Sequence, residues 1–243
     1  MSKKIPVKQI TSWSFSRYAD YSQCALKAKL KHIDKIQEPP NDAMARGADI
    51  HDKAAGYLKG LIKKLPLELR LVKKELDQIK KLMKQKVQAP IVEDTWAVTK
   101  AWIATAWNDW GNCWLRVKMD AAFYEDSETL FVRDWKTGKY RPNEQATYVE
   151  QLELYAATAF KLLPHVQTVR CLLNYVDHGL TYPEDGPLIF TREADAVRLQ
   201  KLWEKRVKPM LSDTVFAPRP NDKCCWCFYR KANKANGGGQ CKY

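Results

Sequence analysis

The chain has 243 residues, of which 45% are hydrophobic and 28% charged, and its formal net charge is +13. This is globular composition, sufficient for one large domain with a buried core, and it excludes a disordered or fibrous chain. No stretch approaches the roughly 20 apolar residues that span a bilayer, and Met1-Ser2-Lys3-Lys4-Ile5-Pro6 lacks the apolar run of a signal peptide; the expectation is a soluble, cytoplasmic protein.

In chain order, Ser12 to Lys35 reads as a helix, opened by Ser/Thr caps and ending before Pro39-Pro40. A second helix is predicted from Asp42 to Lys64 and a third, basic one from Leu67 to Gln88, closed by Pro90. Between Lys59 and Lys86, lysines and Arg70 outnumber Glu68, Glu75 and Asp77. That excess suits a polyanion, nucleic acid first, because binding releases its counterions; a solvated helix face explains the run equally well. The pattern then shifts to period two. Ile91 to Val98, Trp114 to Tyr124 and Thr129 to Lys136 are predicted strands, the last two joined as a hairpin by Glu125-Asp126-Ser127-Glu128. Trp96, Trp102, Trp107, Trp110 and Trp114 around this region suit core packing better than stacking on bases. A helix from Asn143 to Leu163, strands at Thr168 to Asp177 and Leu188 to Thr191, and a helix from Glu193 to Leu211 follow. The Cys-, Gly- and Lys-rich tail from Pro218 is ordered only if something holds it.

Asp134-Trp135-Lys136, followed by Thr137-Gly138, is the strongest local signal, because residues two apart on a strand share a face. A carboxylate and an ammonium side by side can hold a divalent cation, orient water and offset charge on a phosphate. Asp120 interrupts an apolar strand, which either a metal or a salt bridge to Arg116 or Lys118 would explain. For Asp120 to meet Asp134, the hairpin register must place them opposite or an even step apart. His51 sits on a small apolar helix face with Gly47, Ala54, Ala55 and Leu58, as a core histidine or as a third ligand. Gln151 and Tyr155, at i and i+4, project together, with Tyr148 one turn earlier.

Helical His51, then Asp120, Asp134-x-Lys136-Thr137-Gly138 and Gln151-x-x-x-Tyr155, in that order, resembles the RecB-like exonuclease branch of the PD-(D/E)XK superfamily. Ser12-Trp13-Ser14-Phe15-Ser16, Tyr21-Ser22-Gln23-Cys24 and Phe216 to Cys227 belong to the same resemblance, which spans nearly the whole chain. Just before Asp120, Arg116-Val117-Lys118-Met119 stands where many relatives have a glycine.

The resemblance implies an α/β fold with a restriction-endonuclease-like core, a mixed central sheet flanked by helices. Over 1–243 it implies a single nuclease domain: a helical region 1–90 with His51, a catalytic core 91–211, and a Cys-rich tail 212–243 packing on the N-terminal helix. It further implies that His51, Asp120 and Asp134 bind Mg²⁺ or Mn²⁺, that Lys136 assists the attacking water, and that Gln151 and Tyr155 support the site. Glu93 opens the first strand and could be a further site acid, with a structural strand-edge role the favoured reading. The expected activity is DNA hydrolysis, exonucleolytic rather than endonucleolytic, in recombination, repair or phage DNA metabolism. A helicase, an annealing protein or a single-strand-binding protein is the kind of partner implied. The rival readings are a catalytically silent DNA-binding scaffold of the same fold and a cysteine-cluster redox or zinc protein.

Of the seven cysteines, Cys113 and Cys171 lie in apolar surroundings, while Cys224, Cys225, Cys227 and Cys241 crowd the tail. Clustered thiols in a reducing compartment point to metal. Iron-sulfur nucleases of this branch take one cysteine from the N-terminal helix and three from the C-terminal region, and Cys24, Cys224, Cys227 and Cys241 are similar to that set, implying a [4Fe-4S] cluster with Zn²⁺ as the alternative. The long gap from Cys227 to Cys241, with Gly237-Gly238-Gly239 inside it, and the extra thiol of Cys225 depart from the pattern.

Overall fold

The computed structural model describes residues 9–84, 89–142 and 145–243. The end of the predicted basic helix at 85–88, the start of the predicted Asn143 helix and the segment Met1 to Pro6 lie outside the described residues. The chain divides into two compact units. The first comprises residues 1–39, 114–116 and 202–243, and the second 40–113 and 117–201.

In the second unit a six-stranded mixed sheet carries the fold. Its strands are β1 (Ile91–Val98), β2 (Leu115–Tyr124), β3 (Thr129–Lys136), β4 (Thr168–Tyr175), β5 (Leu180–Tyr182) and β6 (Leu188–Thr191), ordered β1-β2-β3-β4-β5 with β6 also paired to β4. β2 and β3 are antiparallel with Ala121 opposite Arg133. β3 and β4 are parallel, connected through helix α5 (Gln145–Leu162). A parallel pair needs such a crossover, and it covers one face of the sheet.

Alternation along β3 sends Phe131 and Trp135 to the opposite face. There they join Ile50, Ala54 and Leu58 of α3 (Asp42–Leu58), Leu69 and Val72 of a 3₁₀ turn (Leu67–Val72), and Leu76 and Ile79 of α4 (Lys73–Lys84). The mixed sheet with helices on both faces is the predicted α/β core.

α3 stops at Leu58 rather than Lys64, because Gly60 adopts φ +76° and the Lys59 and Gly60 amides bond back to Ala55 and Tyr57. The predicted Leu67 helix begins as the 3₁₀ turn, with the Leu69 amide bonded to Pro66 O at 3.0 Å. The three-residue β5 falls in a stretch the sequence reading left unassigned.

In the first unit the predicted Ser12 to Lys35 helix is two helices, α1 (Phe15–Gln23), capped by Ser14, and α2 (Ala25–His32). Cys24 separates them in an extended conformation, φ −161°, ψ 120°, and its amide still bonds Asp20 O. No Gly or Pro marks this break in the sequence. α6 (Arg192–Ser212) ends in this unit, where Trp203 stacks on Trp13 at 5.5 Å. The buried Trp13, Trp135 and Trp203 serve packing, as do Trp102 and Trp114, whereas Trp107 and Trp110, expected in the core, are exposed.

Candidate active site

The site is built where β2 and β3 cease to pair. Ala121 opposite Arg133 makes Asp120 and Asp134 the next positions in line, the even register that convergence requires. There the ladder gives way to a side chain: Asp120 Oδ2 accepts the Trp135 amide at 2.8 Å, and its Oδ1 lies 3.0 Å from His51 Nδ1. Glu93 joins them, with Oε1 3.7 Å from His51 Nδ1 and the Lys118 ammonium against its other oxygen. The ligand atoms of His51, Glu93 and Asp120 all lie within 4.8 Å of one another.

Glu93 reaches this place because its backbone sits in the left-handed region at φ +50°, which is costly for a non-glycine residue inside a strand. The strand-edge role read from sequence omits this. The available signal was an acid within the apolar opening Ile91-Val92-Glu93, which spacing alone does not resolve.

Asp134 and Lys136 close a second constellation. Lys136 Nζ lies 2.6 Å from Asp134 Oδ2 and donates to Gln151 Oε1 at 2.8 Å. Gln151 Nε2 donates to Tyr155 OH at 2.6 Å, and Tyr155 OH donates to Asp134 Oδ1 at 2.9 Å. The ring has only one polarity, because the ammonium and the carboxylate can act only as donor and acceptor. Asp134 is 2% exposed, so its charge is held by these partners. Tyr148 lies against the lysine as anticipated, its ring centroid 4.8 Å from Lys136 Nζ.

A clasp fixes the turn after the lysine. Arg46 and Asp177 form a bidentate pair, and Asp177 Oδ2 also accepts the Gly138 amide at 2.6 Å. A Cβ at Gly47 would meet Thr137 Oγ1 at 3.3 Å, so α3 approaches this turn closely one helical turn before His51.

The electrostatics are those of a site crowded with acids. Burial acts to lower the pKa of His51, but hydrogen bonds to Asp120 and Glu93 and the charges of Asp120 and Asp134 outweigh it, raising it to about 10. Burial, and then the charge of Asp134, pushes the Asp120 carboxyl up against the opposing pull of His51. Tyr155 is pushed well up by burial and by both aspartates, which keeps its phenol proton in place as a donor. The group retains protons that a divalent cation would displace.

Residues 12–232 match the PD-(D/E)XK nuclease superfamily. The chain belongs to this superfamily. Solved structures that are similar include the following two. One is a candidate exonuclease from Eubacterium rectale, 11% identical, TM-score 0.47, with 93% of this chain and 88% of that chain covered. The other is SSO0001, 15% identical, TM-score 0.45, with 92% and 85% covered. No curated protein matches the chain.

Membership accounts for the divalent-metal chemistry that the donors allow. A hard cation suits oxygen ligands with one imidazole. The fit is supported by buried carboxylate oxygens: both Glu93 oxygens and Asp134 Oδ2 are buried and accept no hydrogen bond of good geometry, although the Lys118 and Lys136 ammonium groups stand against Glu93 and Asp134. Asp134 stands beside the His51, Glu93 and Asp120 set and couples it to Lys136.

The first unit brings together the four predicted cysteines. Cys24, Cys224, Cys227 and Cys241 line one pocket with Lys27 and Tyr229. Cys24 Sγ accepts the Arg219 amide at 3.4 Å and Cys224 Sγ the Asn221 amide at 3.3 Å. Cys225 is exposed and turns to Asp222 O instead. The long Cys227 to Cys241 gap is taken up by a fold-back in which Gly238 passes so close to Phe228 that a Cβ would sit 2.1 Å from its carbonyl oxygen. Cys241 then returns, donating its amide to Tyr229 O at 2.8 Å, and Tyr229, buried, donates its hydroxyl to Ile36 O.

Proposed function

We propose that this member of the nuclease superfamily is a Mg²⁺- or Mn²⁺-dependent deoxyribonuclease, exonucleolytic in action, working in recombination, repair or phage DNA metabolism. The observation that carries the reading is the closed ring of Asp134, Lys136, Gln151 and Tyr155 beside the His51, Glu93 and Asp120 donors. His51, Asp120 and Asp134 would hold the cation, with Glu93 added to the set. When bound, the ion supplies Lewis acidity toward the phosphate and favours ionisation of water.

The chain's own groups do the rest. Lys136, pinned between Asp134 and Gln151, keeps its remaining donor for the attacking water or a phosphate oxygen and offsets charge as the P–O bond breaks. Tyr155 and Gln151 hold the lysine on that axis. The Arg46–Asp177 clasp keeps the Thr137-Gly138 turn from carrying it away.

The four cysteines, by the same proposal, hold a [4Fe-4S] cluster. Zn²⁺ at the same four sulfurs is the alternative, and a visible charge-transfer band, present for iron-sulfur and missing for zinc, separates the two. No described helix is long and apolar enough to cross a membrane.

The test is digestion of end-labelled linear, circular and single-stranded DNA with Mg²⁺ or Mn²⁺ and a chelator control. Metal-dependent loss of linear but not circular DNA is expected, with Asp134→Ala and Lys136→Ala each inactive yet still binding DNA. Wild-type turnover by either variant refutes the assignment. A metal-loaded wild-type chain that binds DNA without cutting it is a scaffold.

A further inference from the structure

An apolar side chain exposed on its own is ordinary, but Trp226 is 86% exposed, and tryptophan is the side chain with most to gain from burial. It is not on a loose loop. It ends the short 3₁₀ turn Asp222–Trp226, whose first residues are held by the Asn221 side chain on the Lys223 amide at 2.9 Å. The Cys227 amide bonds Cys224 O at 3.1 Å, and the flanking Cys224 and Cys227 both face the cysteine pocket. The indole is therefore presented on a fixed support.

The surroundings are basic. From Arg219 to Tyr243 the chain carries Arg219, Lys223, Arg230, Lys231, Lys234 and Lys242, against Asp222 as the only acid. Lys231, Lys234 and Lys242 are exposed. The Arg230–Cys241 bridge and the bond from the Lys231 amide to Tyr243 O at 3.0 Å hold the segment around Tyr243 against the one that follows Trp226, and Tyr243 is itself half exposed.

From the exposed indole, its rigid turn and this charge we infer that the cysteine-rich segment is a binding surface for single-stranded nucleic acid, with Trp226 stacking on an unpaired base. Phosphates meet the lysines, and the base, whose faces are apolar and free of the duplex stack, meets the ring. The charge argues against the other occupants. A second copy would bring the same positive surface to itself. Protein interfaces are depleted in lysine around their aromatic anchors, whereas the segment that carries Trp226 is rich in it. The surface uses none of the nuclease residues, so it can be tested whether or not the chain cuts DNA.

The experiment measures binding of a fluorescent, unstructured oligonucleotide, and of a blunt duplex of the same sequence, to the full chain carrying Asp134→Asn. Preparations are matched for bound iron and zinc. Trp226→Ala is expected to weaken single-strand binding roughly 5- to 150-fold, with Trp226→Phe recovering most of the loss and duplex binding changing little. The salt dependence should keep its slope in Trp226→Ala, because no charge is removed. It should fall by about 0.7 per lysine in Lys231→Ala/Lys234→Ala.

Single-strand affinities equal within twofold for wild type and Trp226→Ala would overturn the inference. So would an equal loss on single strand and duplex, or a wild-type dimer in sedimentation that Trp226→Ala converts to monomer. Because Trp226 is 86% exposed, its removal should cost the fold little, and a thermal melt of the variant checks this.

Discussion

Replacing Tyr155 by Phe isolates the ring that couples Asp134 to Lys136. The aromatic ring stays in the core, where Tyr155 is buried, and only the hydroxyl leaves. That hydroxyl accepts from Gln151 Nε2 at 2.6 Å and donates to the buried Asp134 carboxylate at 2.9 Å. A hydrogen bond to a charged group contributes about 1.5–3 kcal/mol and a neutral one about 0.5–1.5. The loss should therefore be about 3 kcal/mol in the metal-free chain, which for a protein of this size lowers Tm by roughly 6–12 °C.

With its oxygen partner gone, Gln151 no longer orients the lysine, and displacement of a catalytic group by about 1 Å can cost up to 100-fold in rate; kcat should fall tenfold or more with KM for DNA little changed. Thr158→Val is the control, since Thr158 is equally buried on α5 but bonds only the Leu154 carbonyl, so it should lose stability without losing rate. Combining Tyr155→Phe with Gln151→Leu should show about 1–2 kcal/mol of coupling, because the second change removes a bond already broken. A Tyr155→Phe melt within 1 °C of wild type together with kcat within twofold would refute the ring as a working unit.

Glu93→Gln should weaken Mn²⁺ binding at least tenfold by calorimetry, and unchanged affinity would return Glu93 to a strand-edge role. His51 is raised to about 10, above its unfolded value of about 6.5. In the metal-free chain it therefore contributes stability fully below that unfolded value and loses it as pH climbs through about 10. Near neutral pH, Mn²⁺ binding should release about one proton, which calorimetry in buffers of different ionisation enthalpy reads and His51→Gln should abolish. Asp20 is buried; desolvation raises its pKa, but His32 at 2.9 Å and Lys27 at 3.0 Å outweigh this and hold it well below the usual carboxylate range. Asp20→Asn should cost about 3–5 kcal/mol at pH 7, with the difference shrinking as pH falls below about 4; denaturant melts at pH 7 and 3 showing a constant difference would exclude this account. Gly238→Ala should force the Phe228 backbone aside, loosening the tail to protease and lowering metal content at the cysteines, and an unchanged digestion pattern would count against the close approach.

What was legible in the sequence was what local periodicity controls. The polar turn at 125–128 between period-two runs specified the β2–β3 hairpin, and the two-residue spacing put Asp134 and Lys136 on one face. The i, i+4 spacing placed Gln151 beside Tyr155, but closing the ring depended on how α5 lies on the sheet, which no local pattern encodes. The place of Glu93 beside His51 and Asp120 was hidden for a related reason. Its side-chain direction follows from a positive φ, and neither its residue type nor its neighbours announce that.

The break at Cys24 and the glycine run show the same limit from the opposite side. Ser22-Gln23-Cys24-Ala25-Leu26 carries no helix breaker, and the interruption makes sense only through partners almost 200 positions away, the Arg219 amide on Cys24 Sγ and the Asn221 amide group on Gln23 O at 2.9 Å. A continuous helix would leave those groups unpaired. Gly237-Gly238-Gly239 reads locally as slack, an argument against Cys241 as a companion of Cys227. In the fold it is the reverse. The chain must pass where no Cβ fits and must take φ of +83° and +92° on either side of Gly238, and only a glycine run lets it turn back within so few residues. The feature that made the spacing look wrong is thus the one that brings the fourth cysteine to the pocket. Loss of the fold-back would separate Cys241 from the other three without touching any of the four thiols.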